Sequence, residues 1–379
     1  MSNVYRVQLF TLLAISAMLI FQYELLMADR GVSLTVSLMV FSISQVAIML
    51  TSLGLSKYAD RVKDKNIIIQ VSVVVRTVVM GLMYLTQTSW LFILLFLTYQ
   101  LAAAINILFE GMLAQWSFDK RVNFGSIRLV GSIGFSVSGF IASFIYVTGG
   151  INHLLLIIFL VNLLNLIGVF KFPIEVEKSG KATEGEKLDK KYKFLILLGA
   201  FIMVQPNSFA VVLNNYYRVT FGLTVEQAMI FAGIAVLLGS FLSEVAAFVF
   251  VNKLISKLGA YKIILVGMLV SCLRWSLAFL APSPELFALT YLLHGITFAF
   301  VYIGIVTYIK DKVGNNATSK LVIILVVYIS LLGFMATQII NLAVNLFGLT
   351  IIILGYTIIS VITTIVYRQF YREKKVEPI

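Results

Sequence analysis

KFPIEVEKSGKATEGEKLDKKYK, Lys171 to Lys193, is the longest polar stretch in the chain. Rich in Lys, Glu and Gly, it lacks the apolar period from which a core is built. Six apolar runs lie on each side of it, each near the roughly 20 residues that a helix needs to cross a hydrocarbon layer about 30 Å thick. Before it, their centres are Leu9 to Met27, Leu34 to Leu55, Ile67 to Leu85, Trp90 to Phe109, Leu129 to Val147 and Leu154 to Phe170. After it come Phe194 to Leu213, Ala228 to Val251, Ile263 to Leu280, Leu286 to Ile309, Leu321 to Leu342 and Phe347 to Tyr367. Strands of a membrane barrel would instead alternate in polarity over segments of about 10 residues, so these runs read as helices. The expected fold is an all-α membrane protein with twelve transmembrane helices in two six-helix bundles, residues 1–170 and 194–379, joined by a cytoplasmic linker over 171–193.

Of 379 residues, 60% are hydrophobic and 12% charged, against roughly 25% charged in an ordinary soluble domain. The net charge of +12 suggests nucleic acid until its placement is followed. Threaded through twelve spans, 24 of the 29 Lys and Arg fall on one side, only Arg30 and Arg218 fall opposite, and Arg76, Arg128 and Arg274 lie within or at the ends of spans. This is the positive-inside pattern with both termini cytoplasmic, and it excludes a nucleic-acid partner. No small-residue cleavage signature follows the first run, which is therefore read as a retained helix. The basic tail from Tyr367 reads as a solvated or headgroup-facing end. One cysteine, Cys272, and two histidines, His153 and His294, leave no disulfide framework and no metal cluster. Without a nucleotide loop or a soluble catalytic domain, an enzyme is not expected.

Charge inside a span costs about 2.5 kcal/mol upward per group, so each such residue needs a partner, water or a task. Glu24, Arg76, Glu110, Arg128, Glu244, Arg274 and His294 stand out, spread over both halves. Glu24, in a polar cluster with Gln22 and Tyr23, and Arg128 lie near span ends, within reach of an interface by snorkelling. Arg76 is mid-span, where a structural pair with an acid on a neighbouring helix is expected. Asn214, at the end of the seventh run, is grouped with Gln22 and Glu24 as a further polar contact for a solute. Gly131, Gly134 and Gly139 with Ser132, Ser136 and Ser138 give the fifth run a small-residue stripe suited to close helix packing. Pro206, interior to the seventh run, predicts a kink, or a broken helix lining a cavity.

FGSIRLVGSIGF, Phe124 to Phe135, resembles the signature entering the fifth helix of the lactose permease group of the major facilitator superfamily, with its phenylpropionate-permease and nucleoside-symporter relatives. Arg128 stands at the arginine of that motif, and Glu110 at the fourth-helix glutamate. The resemblance implies that Glu110 and Arg128 hold substrate hydroxyls while Phe135 stacks on the substrate ring. A guanidinium fork beside a carboxylate suits polyhydroxylated ligands. In the second half Arg274 falls at the family's ninth-helix arginine, and LLHGITFAFVYIGIVTYI places His294 at its tenth-helix histidine. The resemblance assigns both to proton coupling, a task that suits an imidazole. The acid expected one turn after the histidine is replaced by Thr297, so Glu244 is the candidate coupling carboxylate, expected to pair with Arg274. The seventh run lacks the acids and the eleventh lacks the lysine that pair in lactose permease, a consistent joint loss. SKYADRVKDKN, Ser56 to Asn66, resembles the family's cytoplasmic gate in Asp60, Arg61 and Lys65, and reads equally as a solvated charged turn.

The expectation is a secondary transporter of a bacterial cell membrane, a monomer importing a small polar solute such as a sugar, glycoside or nucleoside. It needs no cofactor beyond the proton as coupling ion, and its other partners are membrane lipids. The alternatives are an exporter of drugs, sugars or lipids on the same fold and a non-transporting membrane sensor, the latter disfavoured by three acids and a histidine inside spans.

Overall fold

The computed structural model describes residues 2–59, 64–120, 122, 124–174, 189–313 and 317–371, and among them every regular element is helical. Among the described residues, eleven helical runs are long and apolar enough to cross a membrane. The longest, Ile127–Lys171, has 45 residues, which at 1.5 Å per residue is about 68 Å, twice the thickness of the hydrocarbon layer. It bends at Gly150, whose φ of 70° and ψ of −172° belong to a region essentially closed to residues with a Cβ. Divided at that bend, the described residues form twelve helical segments. Span 1 is Ser2–Phe21 continued by Tyr23–Asp29, span 2 Leu34–Ala59, span 3 Lys65–Leu85, span 4 Ser89–Ala103 continued by Asn106–Asp119, and spans 5 and 6 cover 124–149 and 151–171. Span 7 is Lys190–Ala210 with Leu213–Phe221, span 8 runs from Val225 to Leu258, span 9 is Ala260–Leu280, span 10 runs from Pro284 to Val313, span 11 is Ala317–Leu346 and span 12 Thr350–Phe370. Short turns make successive spans antiparallel. One side of the molecule, the linker side, carries the start of span 1, the end of span 6, the start of span 7 and the end of span 12; the other is the far side.

Every third span is interrupted. Span 1 breaks at Gln22, span 4 at Ala104 and Ile105, and span 7 at Val211 and Val212, while span 10 tightens to a 3-10 turn over Thr290–Leu293. Freed backbone groups must find partners, since lipid offers none. At the span 4 break, Ser72 Oγ donates to Ala102 O at 2.7 Å. The helix of span 7 persists through Pro206 to Ala210 and breaks only one turn beyond it, so the interruption is a true break, displaced from the proline that the sequence singles out.

The packing differs between the two sides. On the far side one continuous apolar cluster joins both halves, running from Met18, Tyr23 and Phe96 through Phe209, Tyr216 and Trp275 to Ile340 and Tyr356. On the linker side it divides. One cluster, around Tyr5, Phe109, Trp116 and Ile127, stays within the first half, and another, around Leu195, Ile264, Ile305 and Tyr367, stays within the second. Among the described residues the apolar contacts that join the halves are thus concentrated on the far side, and nearer the linker side Leu129 of span 5 packs against the cluster around Phe248 and Phe300.

Candidate functional site

The Glu110 and Arg128 side chains meet where spans 4 and 5 face each other, Arg128 Nε lying 3.6 Å from Glu110 Oε2 with 17% and 26% of the side chains exposed. An ion pair that is neither buried nor free in water leaves donor and acceptor sites open to a ligand. Arg128 Nη1 also donates to Ser132 Oγ at 3.2 Å, one helical turn on. Ser132, buried, donates in turn to Glu244 Oε1 at 2.7 Å. Glu110, Arg128, Ser132 and Glu244 therefore form one chain of polar contacts that crosses from the first half into the second. Sequence reasoning placed Ser132 in a packing stripe; its signal was its position four residues after Arg128, on the same helix face.

Glu244 owes its position to irregular backbone. Leu237–Glu244 is a π-helical segment, of the kind that re-aims side chains and recurs at functional sites. There span 8 crosses span 10 with no space between backbones: a Cβ built on Gly295 would fall 2.0 Å from Glu244 N and 2.3 Å from the Ser243 carbonyl carbon. Ser243 Oγ donates to Leu292 O and accepts the Gly295 N–H, satisfying groups left free where the 3-10 turn becomes an α-helix at His294. Neither Ser243 nor Gly295 was singled out in the sequence.

Arg274 does not pair with Glu244, as the sequence led us to expect. Its guanidinium is buried between the rings of Trp275 and Tyr291, 4.5 and 4.7 Å from their centroids, and its Nη1 lies 3.3 Å from His294 Nδ1. Ring faces attract a desolvated cation, so aromatic neighbours stand where the acid was expected, while Arg274 Nε and Nη2 are buried without a hydrogen-bond acceptor among the described residues. A guanidinium has donors only, so this contact requires a lone pair on His294 Nδ1 and hence a neutral ring protonated at Nε2. Thr297 donates to Leu293 O within its own helix. Arg76 likewise lacks the acid expected for it: Nη1 donates to Asn106 Oδ1 at 2.8 Å and Nη2 to Tyr99 Oη at 2.9 Å, with the guanidinium 5.2 Å from the Tyr99 ring centroid. Together with Ser72, it braces the broken middle of span 4.

The remaining polar candidates gather at the far-side seal. Glu24 is 7% exposed and accepts the Asn215 N–H at 3.1 Å through Oε2, so it is tied to the first turn of the second piece of span 7 and does not snorkel. Asn214 Nδ2 donates to Phe21 O at 2.8 Å, the carbonyl at the end of the first piece of span 1. Each break thus receives a side chain from the other. Gln22 donates to Ser143 Oγ at 3.0 Å within the first half. Phe135 meets Phe21 edge-on, with centroids 5.4 Å apart. Of the gate residues, Lys65 opens span 3, where Asp64 caps the helix through Asn66 N; Asp60 and Arg61 lie outside the described residues.

Residues 4–341 match the family model described as MFS_1 like family. Over 248 residues the chain is 26% identical to the uncharacterized transporter YwbF of Bacillus subtilis (strain 168), a match covering 62% of this chain and 59% of that relative, so under two thirds of its length. Among solved structures, a mutant of the nucleoside transporter NupG superimposes with a TM-score of 0.77 at 14% identity, covering 98% of this chain and 100% of that one. The POT family transporter PepTSo gives 0.78 at 10% identity, covering 100% and 98%. These two likenesses establish the fold.

Proposed function

This chain belongs to the MFS_1 like family of major facilitator transporters, and from that premise we propose that it imports a small polar organic solute, such as a sugar, glycoside or nucleoside, together with a proton. The reading rests on the chain Glu110, Arg128, Ser132, Glu244, which joins an accessible ion pair to a buried carboxylate across the meeting of the two halves. Solute hydroxyls bind at Glu110 and Arg128, competing for the guanidinium donors. Once Arg128 turns to the solute, Ser132 loses a donor to its oxygen, and the charge on Glu244 loses the nearest positive partner in its chain. Glu244 is then the site at which the transported proton loads, so that no unpaired charge is left inside the span. Arg274 and His294, one crossing away, receive that carboxylate or its proton when the halves change access.

Residues 1–170 and 194–379 act as the two rocking bundles, and the linker side faces the cytoplasm, consistent with the placement of Lys and Arg. A monomer in a bacterial cell membrane suffices. The test is uptake in proteoliposomes. Arg128→Ala is expected to abolish both ligand-induced thermal stabilisation and counterflow. Glu244→Gln is expected to keep counterflow and to lose accumulation driven by a proton gradient. Wild-type uptake indifferent to the gradient, with Glu244→Gln unchanged, sinks the coupling; a ligand hit untouched by Arg128→Ala sinks the site.

A further inference from the structure

On the linker side of the crossing at Glu244 and Gly295, spans 8 and 10 line a groove of about 580 Å³, within the roughly 300–1,000 Å³ typical of ligand cavities. Its walls are apolar, built from Ala246, Phe250, Ile296 and Phe300 among others, and its linker-side end carries Lys253 and Lys257. The groove lies on the lipid side. Phe298, Tyr302 and His294 stack along one face of span 10, with Phe248 of span 8 against Phe298; at 100° per residue Ile296 projects nearly opposite to Phe298, and Phe300, buried beside Gly267 of span 9, forms the inner wall of the groove. On span 8, Phe250 and Ala246 are exposed, as a lipid-facing surface requires. The two lysines are four residues apart, hence one above the other on a single helix face. Both are exposed, and among the described residues neither forms an ion pair with a carboxylate.

We infer that this groove is a binding site for one anionic phospholipid of the linker-side leaflet, its acyl chain between spans 8 and 10 and its phosphate between the Lys253 and Lys257 ammonium groups. Charge complementarity selects the occupant. An apolar trench alone would take any acyl chain, but two unpaired cations at the depth of the headgroups favour a headgroup with net negative charge over a zwitterionic one. The site is separate from the Glu110 and Arg128 chain, which faces the interior. Because the groove begins at the crossing that positions Glu244, a lipid seated in it braces the second half near its candidate coupling carboxylate.

The full-length protein in detergent is tested by native mass spectrometry and thermal melting with added phosphatidylglycerol, phosphatidylcholine or inorganic phosphate. Phosphatidylglycerol should be retained and raise the melting temperature, and the other two should not. Lys253→Gln and Lys257→Gln should each weaken phosphatidylglycerol binding roughly fivefold, and the double change should bring it down to the phosphatidylcholine level. Lys312→Gln, on the same side with the same loss of charge, should leave it unchanged. Ala246→Trp, at an exposed position, should displace the lipid with both lysines intact. Equal retention of the two lipids, equal stabilisation by free phosphate, equal loss in Lys312→Gln, or a lipid that stays in Ala246→Trp would each overturn the assignment.

Discussion

Gly295 has room for a hydrogen and nothing larger. A methyl group there would stand 2.0 Å from Glu244 N and 2.4 Å from its Cα, atoms of backbone that cannot swing aside as a side-chain tip would. Gly295→Ala is expected to force spans 8 and 10 apart, destabilise the protein by about 1–3 kcal/mol and break the Ser132 to Glu244 hydrogen bond. Thermal melting and gradient-driven uptake should fall together; a variant with wild-type melting would contradict the crossing. At this scale the sequence was only partly legible. Glu110 and Arg128 could be found because charges are conspicuous in apolar runs. Partners could not, because hydropathy says nothing about the rotation of one helix against another. Arg76 and Arg274 each invited the search for an acid, and the structure answers with Tyr99, Asn106, Trp275 and Tyr291. Hydroxyl and amide groups and ring faces can accompany a guanidinium where an acid is expected, and they raise no flag in an apolar sequence.

Among the elements, the informative feature is reciprocity between broken helices. Asn214 supplies a donor to the carbonyl ending the first piece of span 1, and Glu24 supplies an acceptor to an N–H opening the second piece of span 7. Each side chain lies within three residues of its own break. Asn214→Ala removes one such bond, worth about 1 kcal/mol, and should shift the balance toward an open far side by roughly fivefold. Labelling of a cysteine introduced at Phe21 or Val212 measures that shift; unaltered labelling would mean that the apolar cluster alone holds the seal. The membrane-length helices were readable from run length, whereas the breaks were not. Pro206 pointed to span 7, but Gln22 and the pair Ala104 and Ile105 carry no proline or glycine, so no residue with a known backbone preference announces those interruptions. Gly150 did not stand out either, since it sits between two apolar runs with no long polar turn.

For the whole molecule, a core that among the described residues is continuous on the far side and, Leu129 against the Phe248 cluster apart, divided on the linker side matches one of the two end states that alternating access requires. Spin labels at Thr148 and Glu226 on the far side should give a short, narrow distance distribution, and labels at Lys120 and Lys257 on the linker side a longer and broader one. Substrate with a proton gradient should reverse the order; a far-side pair that is broad at rest would exclude this state as the resting form. Opening the far side has a further cost. When spans 1 and 7 separate, the Phe21 carbonyl and the Asn215 N–H lose their only described side-chain partners, and neither hydrocarbon nor the apolar cluster can replace them. Only water can. Far-side opening is therefore a wetting event, and its rate should follow the activity of water: an excluded osmolyte such as sucrose should slow it while leaving binding of solute from the linker side unaffected.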